Sequence, residues 1–127
     1  PLPMGRAKPK EHGVPEDRFF VGAPRGRTVV LEDVTTTGGS LITSLKGLAE
    51  AKIEVVAAIG LTNRMEKTND GKSVEQAIAD MGVKYLCLSE ATSFLPQAYG
   101  VLRPGDEIAH AIESEFREYG VVPVRLL

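Results

Sequence analysis

Val29-Val30-Leu31-Glu32-Asp33-Val34-Thr35-Thr36-Thr37-Gly38-Gly39-Ser40 holds, in order, an apolar run, two carboxylates, three hydroxyls and two glycines. Directly after it, Leu41, Ile42, Leu45, Leu48 and Ala49 recur at the spacing of one helix face. The stretch therefore reads as strand, turn and helix. Glycines in such a turn let backbone N–H groups converge on an anion with no Cβ in the way, and the helix N-terminus adds partial positive charge. Thr36, Thr37 and Ser40 can donate hydrogen bonds to phosphate oxygens. Glu32 and Asp33 repel a phosphate; they suit ribose hydroxyls, which donate to carboxylates, or the water shell of a Mg²⁺ ion. The plain alternative is that the threonines and glycines only turn and cap the chain. An acid pair set between the strand and the turn favours instead the floor of a site for a phosphorylated ribose.

The same alternation continues on both sides. Thr28 to Leu31 is a compact apolar run that suits a buried strand, and Val55 to Leu61 reads as a strand covered on both faces. Lys72 to Met81 is predicted helical, with Val74, Ala77, Ile78 and Met81 on one side and Gly82 as its stop. Lys84 to Leu88 is a further strand. Pro104 to Tyr119 is a helix with Asp106 and Glu107 in its first turn, Gly120 past its end, and Ile108, Ile112, Phe116 and Tyr119 as its buried face. Val121 to Leu126 is predicted as a closing strand. Residues 5–27, rich in charge, Gly and Pro, read as an exposed loop flanked by short strands around Phe19-Phe20-Val21. Strands alternating with helices through short loops predict an α/β fold, a largely parallel twisted sheet flanked by helices. In such sheets ligands lie outside the carboxyl ends of the strands, so the loops after Leu31, Leu61 and Leu88 should share one rim.

The 127 residues make one domain, 43% hydrophobic and 25% charged, with net charge −2. That balance offers no basic face for nucleic acid or for an anionic membrane. No apolar run approaches the roughly 20 residues needed to span a bilayer, and Pro1-Leu2-Pro3-Met4 is unlike a signal peptide. A cytoplasmic location is the default expectation. The single Cys87, within Tyr85-Leu86-Cys87-Leu88, reads as a buried core thiol. One Cys and two distant His, His12 and His110, assemble no zinc site, and His110 reads as structural.

Glu32-Asp33-Val34-Thr35-Thr36-Thr37-Gly38-Gly39-Ser40 resembles the phosphoribosyl-pyrophosphate (PRPP) signature of the type I phosphoribosyltransferases. It is unlike a P-loop, having no G-x-x-x-x-G-K-[ST] and no lysine in the turn. Arg6-Ala7-Lys8-Pro9-Lys10-Glu11-His12-Gly13 is similar to the mobile catalytic loop of the orotate phosphoribosyltransferases, R-K-x-x-K-x-H-G. Ala7 stands where that family has a second lysine, and Lys8 is one place off. Leu61-Thr62-Asn63-Arg64 is similar to the segment in which that family places an arginine for the orotate carboxylate, with Asn63 where Asp is common.

The resemblance, running from about Gly5 through Leu95, implies a type I phosphoribosyltransferase-like core. It implies PRPP binding by Glu32, Asp33, Thr35, Thr36, Thr37, Gly38, Gly39 and Ser40, and catalysis by Lys10, His12 and Arg6. It further implies orotate binding by Arg64 with Thr36, Mg²⁺ as cofactor held by PRPP and water near Glu32 and Asp33, and a homodimer. For residues 6–13 the alternative is a solvated basic loop; for Arg64 it is an ion pair with Glu66 or Asp70. The family's upstream third has no counterpart here, and Pro1 comes just before the loop, so the domain is expected to be incomplete at its N-terminus or a shortened relative. Two rival functions are a purine phosphoribosyltransferase, in which Arg64 would have no carboxylate to meet, and a non-catalytic PRPP-binding regulator.

Overall fold

The computed structural model describes residues 2–6, 8, 10–12, 18, 20–22 and 24–127. Ala7, Pro9 and Gly13 of the basic segment, and Phe19, lie outside the described residues. The elements are β1 (Met4–Gly5), β2 (Phe20–Val21), β3 (Thr28–Thr35), α1 (Gly39–Glu50), β4 (Val55–Asn63), α2 (Val74–Ala79), β5 (Lys84–Glu90), α3 (Ala91–Leu102) and α4 (Asp106–Glu118). β3, β4 and β5 form a parallel sheet in that order, and β1 pairs antiparallel with β2. The expected α/β fold is what the chain adopts. No helix among the described residues is long and apolar enough to cross a membrane.

β3 is longer than its apolar run suggested and takes in both acids. Its pairing with β4 continues through Glu32↔Gly60 and Val34↔Thr62 to Thr35↔Asn63. The inner face of the sheet sends Val30, Ala58, Tyr85 and Cys87 against Leu41 and Leu45 of α1 and Val74 and Ile78 of α2. Leu41 and Ile78 are fully buried, as the helix spacing required. Ser73 caps α2 by accepting the Gln76 N–H at 3.1 Å, and Gly82, at φ 75°, ends the turn after it. Cys87 is only partly buried; burial and the neighbouring Glu90 carboxylate push its thiol up from its ordinary pKa, which makes it a poor nucleophile.

The outer face corrects the reading of Val55 to Leu61 as covered on both sides. Leu31, Leu61 and Leu88 on that face are 62%, 52% and 75% exposed. β5 runs into α3 with no linking residue, so α3 leaves from the rim, and α4 follows it. Ala91, Phe116 and Val124 form a second small core there with Met65, Leu95, Ile112 and Leu126.

Two further expectations are overturned, and α3 is an element not expected from the sequence; Pro96 sits inside it, and Ala91 in its first turn is buried. The buried stripe of α4 is Ala109, Ile112 and Phe116, whereas Ile108 and Tyr119 are about half exposed, at 47% and 48%. Val121 to Leu126 is no strand: Pro123 lacks an N–H, and the N–H groups of Leu126 and Leu127 donate to the Glu113 carboxylate at 2.7 and 3.2 Å. These two bonds hold the Glu113 carboxyl below its ordinary pKa.

Candidate functional site

The carboxyl ends of β3 and β4 meet as expected. Thr35 pairs with Asn63, and the Arg64 N–H donates to the Thr35 carbonyl at 2.8 Å. The acid-and-threonine motif and the arginine after β4 are therefore direct neighbours on one rim. Asn63 pairs on to Glu90, so the end of β5 lies on the same rim.

The turn into α1 is built for close approach. Gly38 caps the helix at φ 75°, a left-handed conformation, and accepts the Ile42 N–H at 2.8 Å. A Cβ at Gly38 would also sit 3.1 Å from a Val74 methyl, a tight contact, so glycine suits both the turn and its packing on α2. The cap residue offers no side chain to the first-turn N–H groups, and no acid stands in that turn. The positive end of α1 thus faces outward beside exposed Thr37, Gly39 and Ser40. Ser40 Oγ donates to Glu32 Oε1 at 3.4 Å, which closes the turn over the first acid. Asp33 is exposed, and its Oδ1 accepts the Val34 N–H at 2.7 Å.

Thr35 needs a correction. It was grouped with the PRPP-binding residues, yet it is 2% exposed. Its hydroxyl lies 2.6 Å from the Tyr85 hydroxyl and donates to the Thr62 carbonyl at 3.4 Å. The Thr35 side chain is bonded within the fold and supports the loop from below; among the three threonine hydroxyls, those open to a ligand begin at Thr36. Gly60 makes this possible, because a Cβ there would stand 2.7 Å from the Tyr85 hydroxyl. Burial raises the Tyr85 pKa, so the phenol stays a neutral donor. Tyr85→Phe should cost about 1 kcal/mol, the usual net value of one hydrogen bond, and lower Tm by a few degrees (order ~4 °C); a thermal melt followed by circular dichroism checks it.

A cavity of about 800 Å³ adjoins β3 and the start of α1. Glu32, Gly39 and Ser40 line it together with Arg6, so this arginine of the basic segment reaches the motif. Arg25 and Arg27 line it too. Sequence reasoning passed over both; the signal was the Arg25-Gly26-Arg27 run just ahead of β3. Arg6 Nε donates to the Phe20 carbonyl at 3.2 Å, and the Lys10 N–H donates to the Arg18 carbonyl at 2.8 Å. Lys10 and His12 do not line this cavity. Among the described residues no three His, Cys, Asp or Glu side chains are grouped to hold a metal directly.

Arg64 takes the ion pair that was its alternative reading. Its Nη2 is 2.7 Å from Glu66 Oε1, and its side chain is 50% exposed. The pair stands at the polar end of a second cavity, of about 500 Å³, whose other walls include Ala91, Phe94, Leu95, Ile112 and Phe116.

No protein-family model matches the chain. It is 34% identical over 96 residues to the orotate phosphoribosyltransferase of Rhodopseudomonas palustris strain BisB5, covering 71% of this chain and 47% of that one. It is 29% identical over 126 residues to the orotate phosphoribosyltransferase of Thioalkalivibrio sulfidiphilus, covering 95% and 56%. The crystal structure of orotate phosphoribosyltransferase from Aeropyrum pernix superposes with a TM-score of 0.55 at 29% identity, over 83% of this chain and 53% of that one. The chain thus spans about half the length of the curated relatives it matches.

Proposed function

We propose that this chain, a homologue of the orotate phosphoribosyltransferases with the type I phosphoribosyltransferase fold, serves in transfer of phosphoribosyl from PRPP to orotate. The products are orotidine 5′-phosphate and pyrophosphate, a step of pyrimidine biosynthesis. The observation that carries the reading is the 2.8 Å bond from the Arg64 N–H to the Thr35 carbonyl. It makes Arg64 a direct neighbour of the acid-and-threonine motif, which supports the orotate reading, since a purine base would give that side chain no carboxylate to meet.

In this reading the first-turn N–H groups of α1, with Thr36, Thr37 and Ser40, hold the 5′-phosphate, while Glu32 and Asp33 accept from the ribose hydroxyls. An orotate nitrogen attacks the ribose C1 as the C1–oxygen bond to pyrophosphate breaks, through a transition state with oxocarbenium character, and the nitrogen's proton passes to solvent. Negative charge grows on the departing pyrophosphate, and Lys10 and Arg6 offset it, with His12 as proton donor. The exposed Asp33 and half-exposed Glu32 suit a hydrated cation rather than direct ligation, so Mg²⁺ would be held by PRPP and water beside them. When bound, Mg²⁺ supplies positive charge to the pyrophosphate oxygens. The segment carrying Lys10 acts as a lid that keeps water from the donor. A cytoplasmic homodimer, in which the lid crosses to the partner's site, completes the proposal.

Asp33→Asn tests the ribose assignment. The amide oxygen can still accept the Val34 N–H, so Tm should move by less than about 1–2 °C, as for surface substitutions. Losing one charge-assisted bond should weaken PRPP about tenfold. Calorimetric titration with Mg²⁺ and PRPP measures it; an unchanged affinity would remove Asp33 from the site.

A further inference from the structure

We infer that Glu66 is a built-in counter-ion of Arg64 that competes with the base, one that an incoming carboxylate has to take over from; the inference rests on the orotate reading. Glu66 Oε1 lies 2.7 Å from Arg64 Nη2, and the Glu66 side chain is only 14% exposed against 50% for Arg64. A guanidinium binds a carboxylate by two parallel bonds along one of its edges, and each of the two accessible edges uses a hydrogen on the outer nitrogen that Glu66 holds. A second carboxylate therefore either displaces Glu66 or settles beside it as a like charge.

The backbone decides which partner gives way. Asn63, 5% exposed, accepts the Met65 N–H on Oδ1 at 2.9 Å and sets Met65 at φ 61°. The Val121 N–H donates to the Met65 carbonyl and the Lys67 N–H to the Tyr119 carbonyl, each at 2.8 Å. Glu66 itself bridges to Gly120. Its backbone is thus pinned on both sides to the end of α4, while the arginine has a long stem and a half-exposed head. The guanidinium moves and Glu66 stays. The Glu66 side chain is 14% exposed, so water screens its charge less than that of a surface carboxylate. This also gives α4 a part in the site: it holds the loop that presents Arg64.

Glu66→Gln keeps the shape and an acceptor oxygen and removes the charge. In the full-length polypeptide it should lower KM for orotate by at least about fivefold, the scale of one like-charge contact about 4 Å away when water screens it fully, with KM for uracil unmoved. Arg64 should also react faster with phenylglyoxal in Glu66→Gln, read by mass spectrometry of its peptide, and orotate should slow that reaction. An orotate KM that stays or rises, or orotate and uracil shifting together, overturns the role of Glu66. If orotate protects Arg64 normally in the wild type, the orotate reading survives that failure. If orotate gives no protection and Arg64→Ala keeps wild-type discrimination, the reading itself fails and this inference falls with it.

Discussion

Lys10→Ala should lower turnover about a hundred- to a thousand-fold, the usual cost of losing one donor that stabilises charge in the transition state, while PRPP affinity stays within a few-fold. An ammonium set against a departing pyrophosphate gains most when negative charge builds there, and less when PRPP merely binds. The segment is anchored at the backbone: the Arg6 guanidinium bonds the Phe20 carbonyl, the Lys10 N–H bonds the Arg18 carbonyl, and β1 pairs with β2. These ties survive loss of the Lys10 side chain, so a fall in rate would report chemistry and not unfolding. Single-turnover rates and PRPP titrations on the two proteins separate the two quantities. Near-normal turnover would make residues 6–13 a solvated basic loop.

Arg64→Ala should bring discrimination between orotate and uracil down by at least about a hundredfold, because two charge-assisted bonds of about 1.5–3 kcal/mol each are lost. Arg64→Lys should restore only part, since an ammonium cannot reproduce the planar fork. The fold should tolerate both changes: the Arg64 side chain is half exposed, and its backbone bond to Thr35 does not depend on the side chain. The ratio of kcat/KM values for orotate and uracil in the three proteins is the readout. An unaltered ratio would leave Arg64 as a partner of Glu66 alone.

What could be read from residue order is the part of the fold where local rules agree with tertiary packing. The strand-turn-helix at Val29 to Ser40, the apolar strand at Val55 and the helix with acids at Asp106 and Glu107 each carry their own start and stop chemistry. Where a local rule met a stronger tertiary one, the sequence misled. Pro96 is tolerated in α3 because buried Ala91 and packed Leu95 hold that helix to α4. The apolar tail Val121 to Leu126 alternates like a strand, but Pro123 cannot donate, and Glu113 takes the N–H groups that a neighbouring strand would have taken.

The site shows the same division. A row of hydroxyls in a sequence does not say which one faces inward. Thr35 turns in because Gly60 leaves room for the Tyr85 hydroxyl to reach it, a contact 50 residues apart along the chain. Arg25 and Arg27 line the cavity together with Arg6 and Glu32 from other parts of the chain, a grouping that spacing alone does not reveal. The Arg64–Glu66 pair is two residues apart and was legible as an alternative; the pinning of Glu66 by the end of α4 was not.

The most direct measurement is pyrophosphate release by the full-length polypeptide given PRPP and Mg²⁺ with orotate, uracil, hypoxanthine or adenine in turn. The account predicts release with orotate, one pyrophosphate for each orotidine 5′-phosphate formed, and far less with the other three bases. A purine preferred over orotate, or PRPP bound with no base consumed at all, would contradict it.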